Sequence, residues 1–474
     1  MIADLKPYAG YKESGLPWLG QVPKHWDVRR MKLLLREIDS RSTSGKEQLL
    51  RVSQYTGVTQ RKAADGSESP DTRASSLVGY KRVMPSDLVI NIMLAWNGSM
   101  GVSRYDGIAS PAYCVYRFKP GAMPWYYHEL LRLPLYKGRI KTASTGVVES
   151  RLRLYSDDLG RIEVIQPPSA EQAAIVRFLD WANGRLERAI RAKRKVIALL
   201  GEQKQAIIHR AVTRGLDPSV PLKTSGIAWL GDIPQHWEVL PLKGVCVVQS
   251  GITLGKDYAG QALREFPYLR VANVQAGHVN LAIIKRIRVT KAEAVRCMLQ
   301  KGDVLMTEGG DPDKLGRGCV WDLQVDPCLH QNHVFAVRPN QSRLEPRFLS
   351  ALMGASYARA YFESTAKQTT NLASTNKTKI GMFKVLLPPT AEQKSVLTAL
   401  DTETLPMNTA ISRLEREIEL LREYRTRLVA DVVTGKLDVR EAALHLPDEA
   451  PPETVEDDAD LNTDADASNE EAAP

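Results

Sequence analysis

Four groups of basic and amide side chains carry the chemistry most readable in this chain. Arg51, Gln54, Tyr55, Gln60, Arg61 and Lys62 form the first, and Arg270, Asn273 and Gln275 form its counterpart. Gln331, Asn332 and His333 precede a predicted strand, while Lys367, Gln368, Asn371, Asn376, Lys377 and Lys379 follow a predicted helix. These residue types bind rather than transform. The fork of Arg matches guanine edges in a major groove, Asn and Gln match adenine, and Lys neutralises phosphate. Each side chain taken alone reads more simply as a solvated loop residue. It is their grouping in a basic chain that points to a polyanion.

Catalytic patterns are harder to find. Glu308, Asp311 and Asp313 lie close together, and a metal nuclease needs clustered carboxylates, but a polar surface loop is the simpler reading and no metal site is expected. His25 and His236 stand beside Trp26 and Trp237 in turn-rich segments, which suits capping or packing better than proton transfer. The sequence has no Gly-x-x-x-x-Gly-Lys-Ser/Thr phosphate loop. It has no Asn-Pro-Pro-Tyr or Asp-Pro-Pro-Tyr motif for methylating base amino groups. Gly309-Gly310-Asp311 and Gly316-Arg317-Gly318 fall between strands rather than after one, so they do not suit a nucleotide cofactor. No catalytic residue is assigned.

The charge is unevenly divided. The 474 residues carry a formal +9, yet residues 447–474 hold eleven Asp and Glu with no Lys or Arg, so the first 446 residues stand at +20. The acidic tail, rich in Asp, Glu, Ala and Pro, is expected to be disordered. It reads either as a solubilising extension or as a mimic that competes with nucleic acid. Cys114, Cys246, Cys297, Cys319 and Cys328 are scattered and odd in number, which suits reduced thiols in a cytoplasmic protein. No apolar run is long enough for a membrane span, and the N-terminus has no apolar signal core.

The elements that must position these groups occur twice. Tyr11–Trp26 is matched by Leu222–Trp237, sharing Ser14/Ser225, Gly15/Gly226, Trp18/Trp229, Gly20/Gly231, Pro23/Pro234 and His25-Trp26/His236-Trp237. Pro167-Pro168-Ser169-Ala170-Glu171-Gln172 is matched by Pro388-Pro389-Thr390-Ala391-Glu392-Gln393. After each comes a charged helix with an apolar seam stepping by four and three residues. One seam is Leu186, Ile190, Ile197, Leu200, Ile207 and Ala211, with Lys193 and Lys204 filling the gaps; the other is Met407, Ile411, Leu414, Ile418, Leu421, Arg425, Leu428 and Val432. Each helix ends at a Gly-containing turn, Val212–Asp217 or Val433–Asp438.

The spacing divides the chain into a repeated N-terminal segment at 1–26, a first variable domain at 27–166, a central helical segment at 167–237, a second variable domain at 238–387, a C-terminal helical segment at 388–446 and the tail at 447–474. In the first domain it predicts strands at Leu49–Tyr55, Leu88–Leu94, Met100–Arg104, Tyr113–Phe118 and Arg161–Ile165, with a helix from Trp125 to Ile140. In the second it predicts strands at Pro267–Val274, Asp303–Thr307, Gly318–Trp321, His333–Val337 and Met382–Leu387, with a helix from Pro346 to Glu363. Ser86-Asp87-Leu88-Val89 echoes Gly302-Asp303-Val304-Leu305, and Phe118-Lys119-Pro120 echoes Val337-Arg338-Pro339, while the polar loops barely agree. The fold class is α+β: two similar α/β domains joined and spaced by two long antiparallel coiled-coil helices, with pseudo-two-fold symmetry. Helices of about 26 residues, near 39 Å, bury their seams most simply against each other. The second then returns to the first domain, placing Tyr11–Trp26 beside the turn at Val433–Asp438.

These blocks resemble the specificity subunit of type I restriction-modification systems. The resemblance rests on the paired Ser-Gly…Trp-Leu-Gly…Pro-x-His-Trp blocks, the paired Pro-Pro-x-Ala-Glu-Gln helix starts, and the exits Ala211–Asp217 and Asp431–Asp438. It covers nearly the whole chain except the leader and tail. Arg214-Gly215 stands in one exit where Gly435-Lys436 stands in the other. The resemblance implies that each variable domain is a target recognition domain reading one half of a split double-stranded DNA sequence. It implies that the helices fix the gap between halves. Two modification subunits would carry S-adenosylmethionine and methylate a flipped adenine. Two restriction subunits would supply cleavage driven by ATP, with Mg2+, so this chain would hold no cofactor of its own. The reading from another class is a coiled-coil scaffold with two protein-binding heads, whose charge would be incidental.

Removing Pro447–Pro474 should leave folding intact and strengthen non-specific DNA binding at low salt, since exposed charges act over about 10 Å at 0.1 M. Affinities measured over a salt series test this, and unchanged values would leave the tail an inert extension.

Overall fold

The computed structural model describes residues 5–61, 74, 76–148, 151–227, 229–310, 315–316, 318–368 and 373–447. The acidic tail beyond Pro447 lies outside them. The chain forms two compact units, Met1–Ala192 with Glu417–Pro474, and Lys193–Arg416.

In the first unit the repeated block is a hairpin, Tyr11–Glu13 against Gln21–Pro23. In the second unit its copy is the same hairpin, Leu222–Thr224 against Asp232–Pro234. Gly20 and Gly231 sit at φ +73° and +75° where each hairpin turns back, a conformation a Cβ would strain. The hairpins end on Trp26 and Trp237, both fully buried.

A carboxylate then ties each hairpin to a long helix. Glu171, in the first turn of the helix Ser169–Arg214, accepts from Trp26 Nε1 at 2.9 Å and from the Tyr8 hydroxyl, and pairs with His25 Nε2 at 2.8 Å. Glu392, in the first turn of Thr390–Val433, accepts from Trp237 Nε1 at 3.0 Å and pairs with His236 Nε2 at 2.7 Å. The next residue ties in the domain. Gln172 accepts from the Met123 amide and donates to the Gly121 and Pro167 carbonyls. Gln393 accepts from the Glu345 amide and donates to the Arg343 and Pro388 carbonyls. Met123 and Glu345 are the residues just before the domain helices Pro124–Arg132 and Pro346–Gly354. The repeated Glu-Gln and His-Trp motifs are therefore two ends of one joint.

The long helices exceed the length read from the seam. They run 46 and 44 residues, roughly 69 and 66 Å at 1.5 Å per residue. The added turns of the first helix face the first unit's own core through Ile175, Phe178, Leu179 and Ala182. A broad apolar face of that kind does not show the narrow coiled-coil spacing. The second helix passes through Pro406 on its exposed face.

Each unit contains its own stretch of the antiparallel helix pair. In the first unit Leu186, Ile190, Ile418, Leu428 and Val432 are buried, Leu421 is half-buried, and Arg425 approaches Glu187 at 3.6 Å. In the second, Ile197, Leu200, Ile207, Met407, Ile411 and Leu414 are half-buried, Ala211 is buried, and Lys204 donates to Asn408 Oδ1 at 2.7 Å. Counted from Glu171 and Glu392, Lys204 matches Arg425 and Glu187 matches Asn408, so one cation-to-acceptor crossing recurs in both stretches. The last turn of the second helix meets the N-terminal hairpin in the first unit. Tyr11 Oη donates to the Gly435 carbonyl at 3.2 Å, Tyr126 Oη to that of Val433 at 3.0 Å, and Lys6 pairs with Asp438.

The domains share a frame. In the first unit an antiparallel sheet has the order Leu35–Ile38, Tyr113–Phe118, Leu88–Asn91, Met100–Val102. In the second the order is Cys246–Ser250, Val334–Pro339, Val304–Thr307, Gly318–Val320. The local echoes have a physical basis. Buried Asp87 holds Arg117 through two bonds of 2.9 and 3.0 Å, and buried Asp303 holds Arg338 at 2.7 and 2.8 Å. The second echo is thus two residues out of register, with Arg117 rather than Lys119 matching Arg338.

Both single domain helices of the sequence reading are pairs. Leu133 takes an extended ψ of 144° because Pro134 follows it, splitting Pro124–Arg132 from Pro134–Ala143. Gly354, a poor helix former, ends Pro346–Gly354 before Ser356–Thr365 begins. The strand expected at Pro267–Val274 lies at Leu263–Leu269, since Asn273 closes a tight helical turn at Val271–Asn273. The units differ in what is inserted between the first and third frame strands. The first has the hairpin Leu50–Ser53/Gly57–Gln60; the second has the longer hairpin Leu263–Leu269/Lys285–Thr290.

Glu171→Ala would leave the buried Trp26 and Tyr8 donors without an acceptor, at about 1–3 kcal/mol each. Its carboxylate is 4% exposed and that of Glu392 is 28%, so scanning calorimetry should show Glu171→Ala lowering the melting temperature more than Glu392→Ala. Equal shifts would contradict the assigned roles.

Candidate nucleic-acid interface

In the first unit the predicted group gathers on one hairpin. Leu50, Val52 and Val58 turn into a small core with Val83, Val89 and Val115. Strand alternation then sends Arg51, opposite Thr59, to the other face. Arg51 is exposed, and Gln54, Gln60 and Arg61 are half-buried. Tyr55, at the turn, is 60% exposed, large for an aromatic residue and suited to stacking. Lys62 lies outside the described residues.

In the second unit the backbone chains the other groups together. The Gln331 amide donates to the Leu269 carbonyl at 2.9 Å and that of Asn332 to Ile252 at 2.8 Å, which sets both beside Arg270. His333 Nδ1 lies 2.5 Å from Glu308 Oε2, and the Thr375 amide donates to the Glu308 carbonyl at 2.8 Å. Thr375 continues the strand pairing of Ser374 with Lys367. Gln275, Lys367 and Lys377 are exposed, and Arg270, Gln331 and Asn332 are half-buried.

Three candidates have local work to do. Asn273 is buried; its Oδ1 accepts from the Arg270 amide at 2.9 Å, and its Nδ2 donates to the Asn280 and Ile283 carbonyls at 2.8 and 3.0 Å. It shapes the loop and has no edge to offer a base, a correction to the sequence reading. Asn376 caps the helix Lys377–Met382 through the Lys379 amide, and Lys379 Nζ donates to the Thr365 carbonyl. Asn371, Asp311 and Asp313 lie outside the described residues, and Gln368 is described in its backbone only. Among the described residues no group of three or more His, Cys, Asp or Glu could hold a metal ion.

One contributor was not legible in the sequence. Arg132 reads as a basic residue in the last turn of a helix. In the fold its guanidinium reaches the carbonyls of the Gln54–Tyr55 turn. No spacing rule connects residues so far apart.

A buried histidine and a half-buried one stand near these groups. His330 Nδ1 donates to the Val334 carbonyl at 2.6 Å, leaving Nε2 buried without a partner. Burial pushes its pKa down to about 4. His128 Nδ1 accepts from the Val102 amide at 3.0 Å, and burial with Arg132 and Arg104 nearby pushes it down to about 3. All five cysteines are free thiols. Among the described residues no helix is long and apolar enough to cross a membrane.

No protein-family model matches the chain. Curated relatives do. The MjaVIII type I restriction enzyme specificity subunit of Methanocaldococcus jannaschii is 22% identical over 453 residues, 91% of this chain and 97% of that protein. The EcoKI specificity subunit of Escherichia coli K12 is 24% identical over 382 residues, 75% of this chain and 79% of that protein. These relatives are type I restriction enzyme specificity subunits, and the chain is similar to them over most of its length. A putative MjaX specificity subunit is 25% identical over 209 residues, where the match spans only 47% of that protein. Among solved structures, a chain of a type I restriction-modification system is similar in fold, with a TM-score of 0.60 at 16% identity, covering 88% of this chain and 99% of its own.

Neutral burial of His330 and His128 fixes the sign of a pH effect. The unfolded chain takes up these protons below about 6.5, while the folded chain resists until about 4 and about 3. Their contribution to stability is full above pH 6.5 and is lost as pH falls from there towards 4. Thermal melts between pH 7 and 4 should show the loss, and His330→Gln should flatten part of the slope.

Proposed function

We propose that this chain is the DNA-reading subunit of a type I restriction-modification assembly. Each unit reads one half of a split target, and partner subunits methylate adenine or cleave with ATP. The observation that carries the reading is the pairing of one frame with two unlike inserts. Both units have the same four-stranded order, the same buried Asp–Arg pair and the same Glu-Gln joint, yet their hairpins and polar loops differ. A protein that must hold two readers in a fixed way, while varying what each reads, needs that division. The +20 charge of the first 446 residues supplies phosphate attraction, which is independent of sequence and weakens with salt. Specificity then falls to Arg51, Gln54, Tyr55, Gln60 and Arg61 in one unit, and to Arg270, Gln275, Gln331, Asn332 and His333 in the other, with Lys367 and Lys377 on phosphates.

The partners in this reading are two modification subunits and two restriction subunits, which bring S-adenosylmethionine, ATP and Mg2+; this chain takes none of them. Their docking surface is the outer face of the long helices. Val196, Leu199 and Leu405 are 44, 53 and 64% exposed there in the second unit, and Leu420 and Tyr424 are 52 and 41% exposed in the first. Apolar side chains beside a filled seam suit a further helix. The assembly is cytoplasmic, where its DNA and nucleotide substrates are.

Exchanging residues 238–387 for the matching region of a relative with a different target should change one half of the recognised sequence and leave the other. The readout is the methylated motif produced by the assembled complex. A change in both halves would show that the units do not read independently.

A further inference from the structure

The hairpin that carries Gln54 and Tyr55 is held from below by one cation. Arg132 stands in the last turn of the helix Pro124–Arg132, whose place in the shared frame is taken in the second unit by Pro346–Gly354. Its Nη2 donates to the carbonyls of Tyr55 at 2.6 Å and Gln54 at 3.1 Å. Its Nη1 donates to Met100 at 2.7 Å and reaches Ser53 and Gly98 at 3.4 Å each. Five carbonyls from two separate segments meet on one planar fork. A charged donor makes stronger bonds than a neutral one, and a fork fixes directions that a flexible ammonium does not. Among the described residues no carboxylate is hydrogen-bonded to this guanidinium; Glu129, one turn earlier on the same helix, acts on it through its charge. Gly354 occupies the matching place in the second unit, where the inserted hairpin is different. The clamp therefore goes with the insert and not with the frame.

The turn is also seated closely. Gly57, at φ +77°, lies where a Cβ would meet His128 Cε1 at 3.1 Å and Arg132 Nη1 at 3.5 Å. Across the contact, a Cβ on Gly101 would stand 3.0 Å from the Gly57 Cα. The hairpin rests on the frame strand Met100–Val102 with no side chain between them, and Arg132 fills the edge of that contact.

We propose that Arg132 is a positioning residue for base reading by the first unit. It holds the Ser53–Tyr55 turn in one geometry by gathering that turn's carbonyls with those of Gly98 and Met100, so that Gln54 and Tyr55 meet the DNA already ordered. The proposal rests on the DNA-reading role given above. A turn fixed before binding loses less freedom on binding and tolerates fewer wrong partners. Without the clamp the same side chains remain, but they adapt to several bases.

The test uses the full chain and a pool of duplexes randomised in sequence, with bound DNA selected and sequenced. Wild type should enrich a split motif. Arg132→Met should lose discrimination, by roughly tenfold, at the bases of one half only, since one mismatched pair commonly costs about that factor. The other half-motif, and salt-dependent binding to unrelated duplex, should stay as in wild type. Arg132→Lys should fall between, because an ammonium can reach some of these carbonyls without the fork. Gly57→Ala, whose Cβ would press on His128 and Arg132 and displace the same turn, should give the same one-sided loss. Retention of both half-motifs in Arg132→Met would overturn the proposal. Equal loss of both would overturn it too, by showing a role in stability throughout the chain. Wild type enriching no motif would instead bring down the DNA-reading role, and the proposal with it.

Discussion

Everything in this chain hangs on a carboxylate in the first turn of each long helix. That position is electrostatically favourable, because the helix N-terminus presents unpaired amides and a partial positive charge. Glu171 and Glu392 use it to accept from an indole and to pair with an imidazole of a hairpin far away in sequence. The neighbouring glutamine, one residue on, bonds the residue before the domain helix. Three pieces of chain thus meet at one helix start. In the first unit Tyr8 adds a third donor and the carboxylate is buried. In the second, Ser219 stands at the matching position and the carboxylate stays partly wet.

From this joint outward, the two units solve a common problem with common parts. The sheet order is the same, and a buried aspartate fixes the same arginine across it. Buried ion pairs add little net stability, but they tolerate few alternatives, which suits a frame that must not drift. On that frame the inserts are free to differ. The hairpin Leu50–Gln60 is anchored by a cation, whereas the loop after Leu269 is anchored by the amide of Asn273. Different anchors for different inserts allow a binding surface to change without altering the fold beneath it.

For a DNA reader that separation has a clear value. Phosphate attraction comes from net charge and is indifferent to sequence. Base reading needs a few polar side chains held still, because a loose donor satisfies many edges. Tyr55 projects well into solvent, yet its own carbonyl is bound at 2.6 Å, so exposure of the side chain and fixation of the backbone coexist. A lysine needs no such fixation to meet a phosphate.

Periodic and repeated information was legible in one dimension. The paired His-Trp and Pro-Pro-x-Ala-Glu-Gln blocks, the seam from Leu186 to Ala211 and its partner from Met407 to Val432, and the basic body with its acidic tail all show in the letters. So did the meeting of the N-terminal hairpin with the turn at Gly435, since a helix that returns must end where the first domain begins. Other features needed the tertiary structure. The early turns of the first long helix do not show the coiled-coil spacing because Ile175 and Phe178 face a domain core instead of another helix. Asn273 looked like a base reader because its type and loop fit, and only its burial shows that its amide is already satisfied. Arg132 gave no signal at all, because its partners are backbone carbonyls 32 to 79 residues away. Carbonyls are the same in every residue, so no letter marks them as an acceptor set. The sequence alone determined which segments repeat and which faces are apolar, since those depend on side-chain type at local spacing. The tertiary structure decided which polar groups remain free to bind, because that depends on what each one already touches.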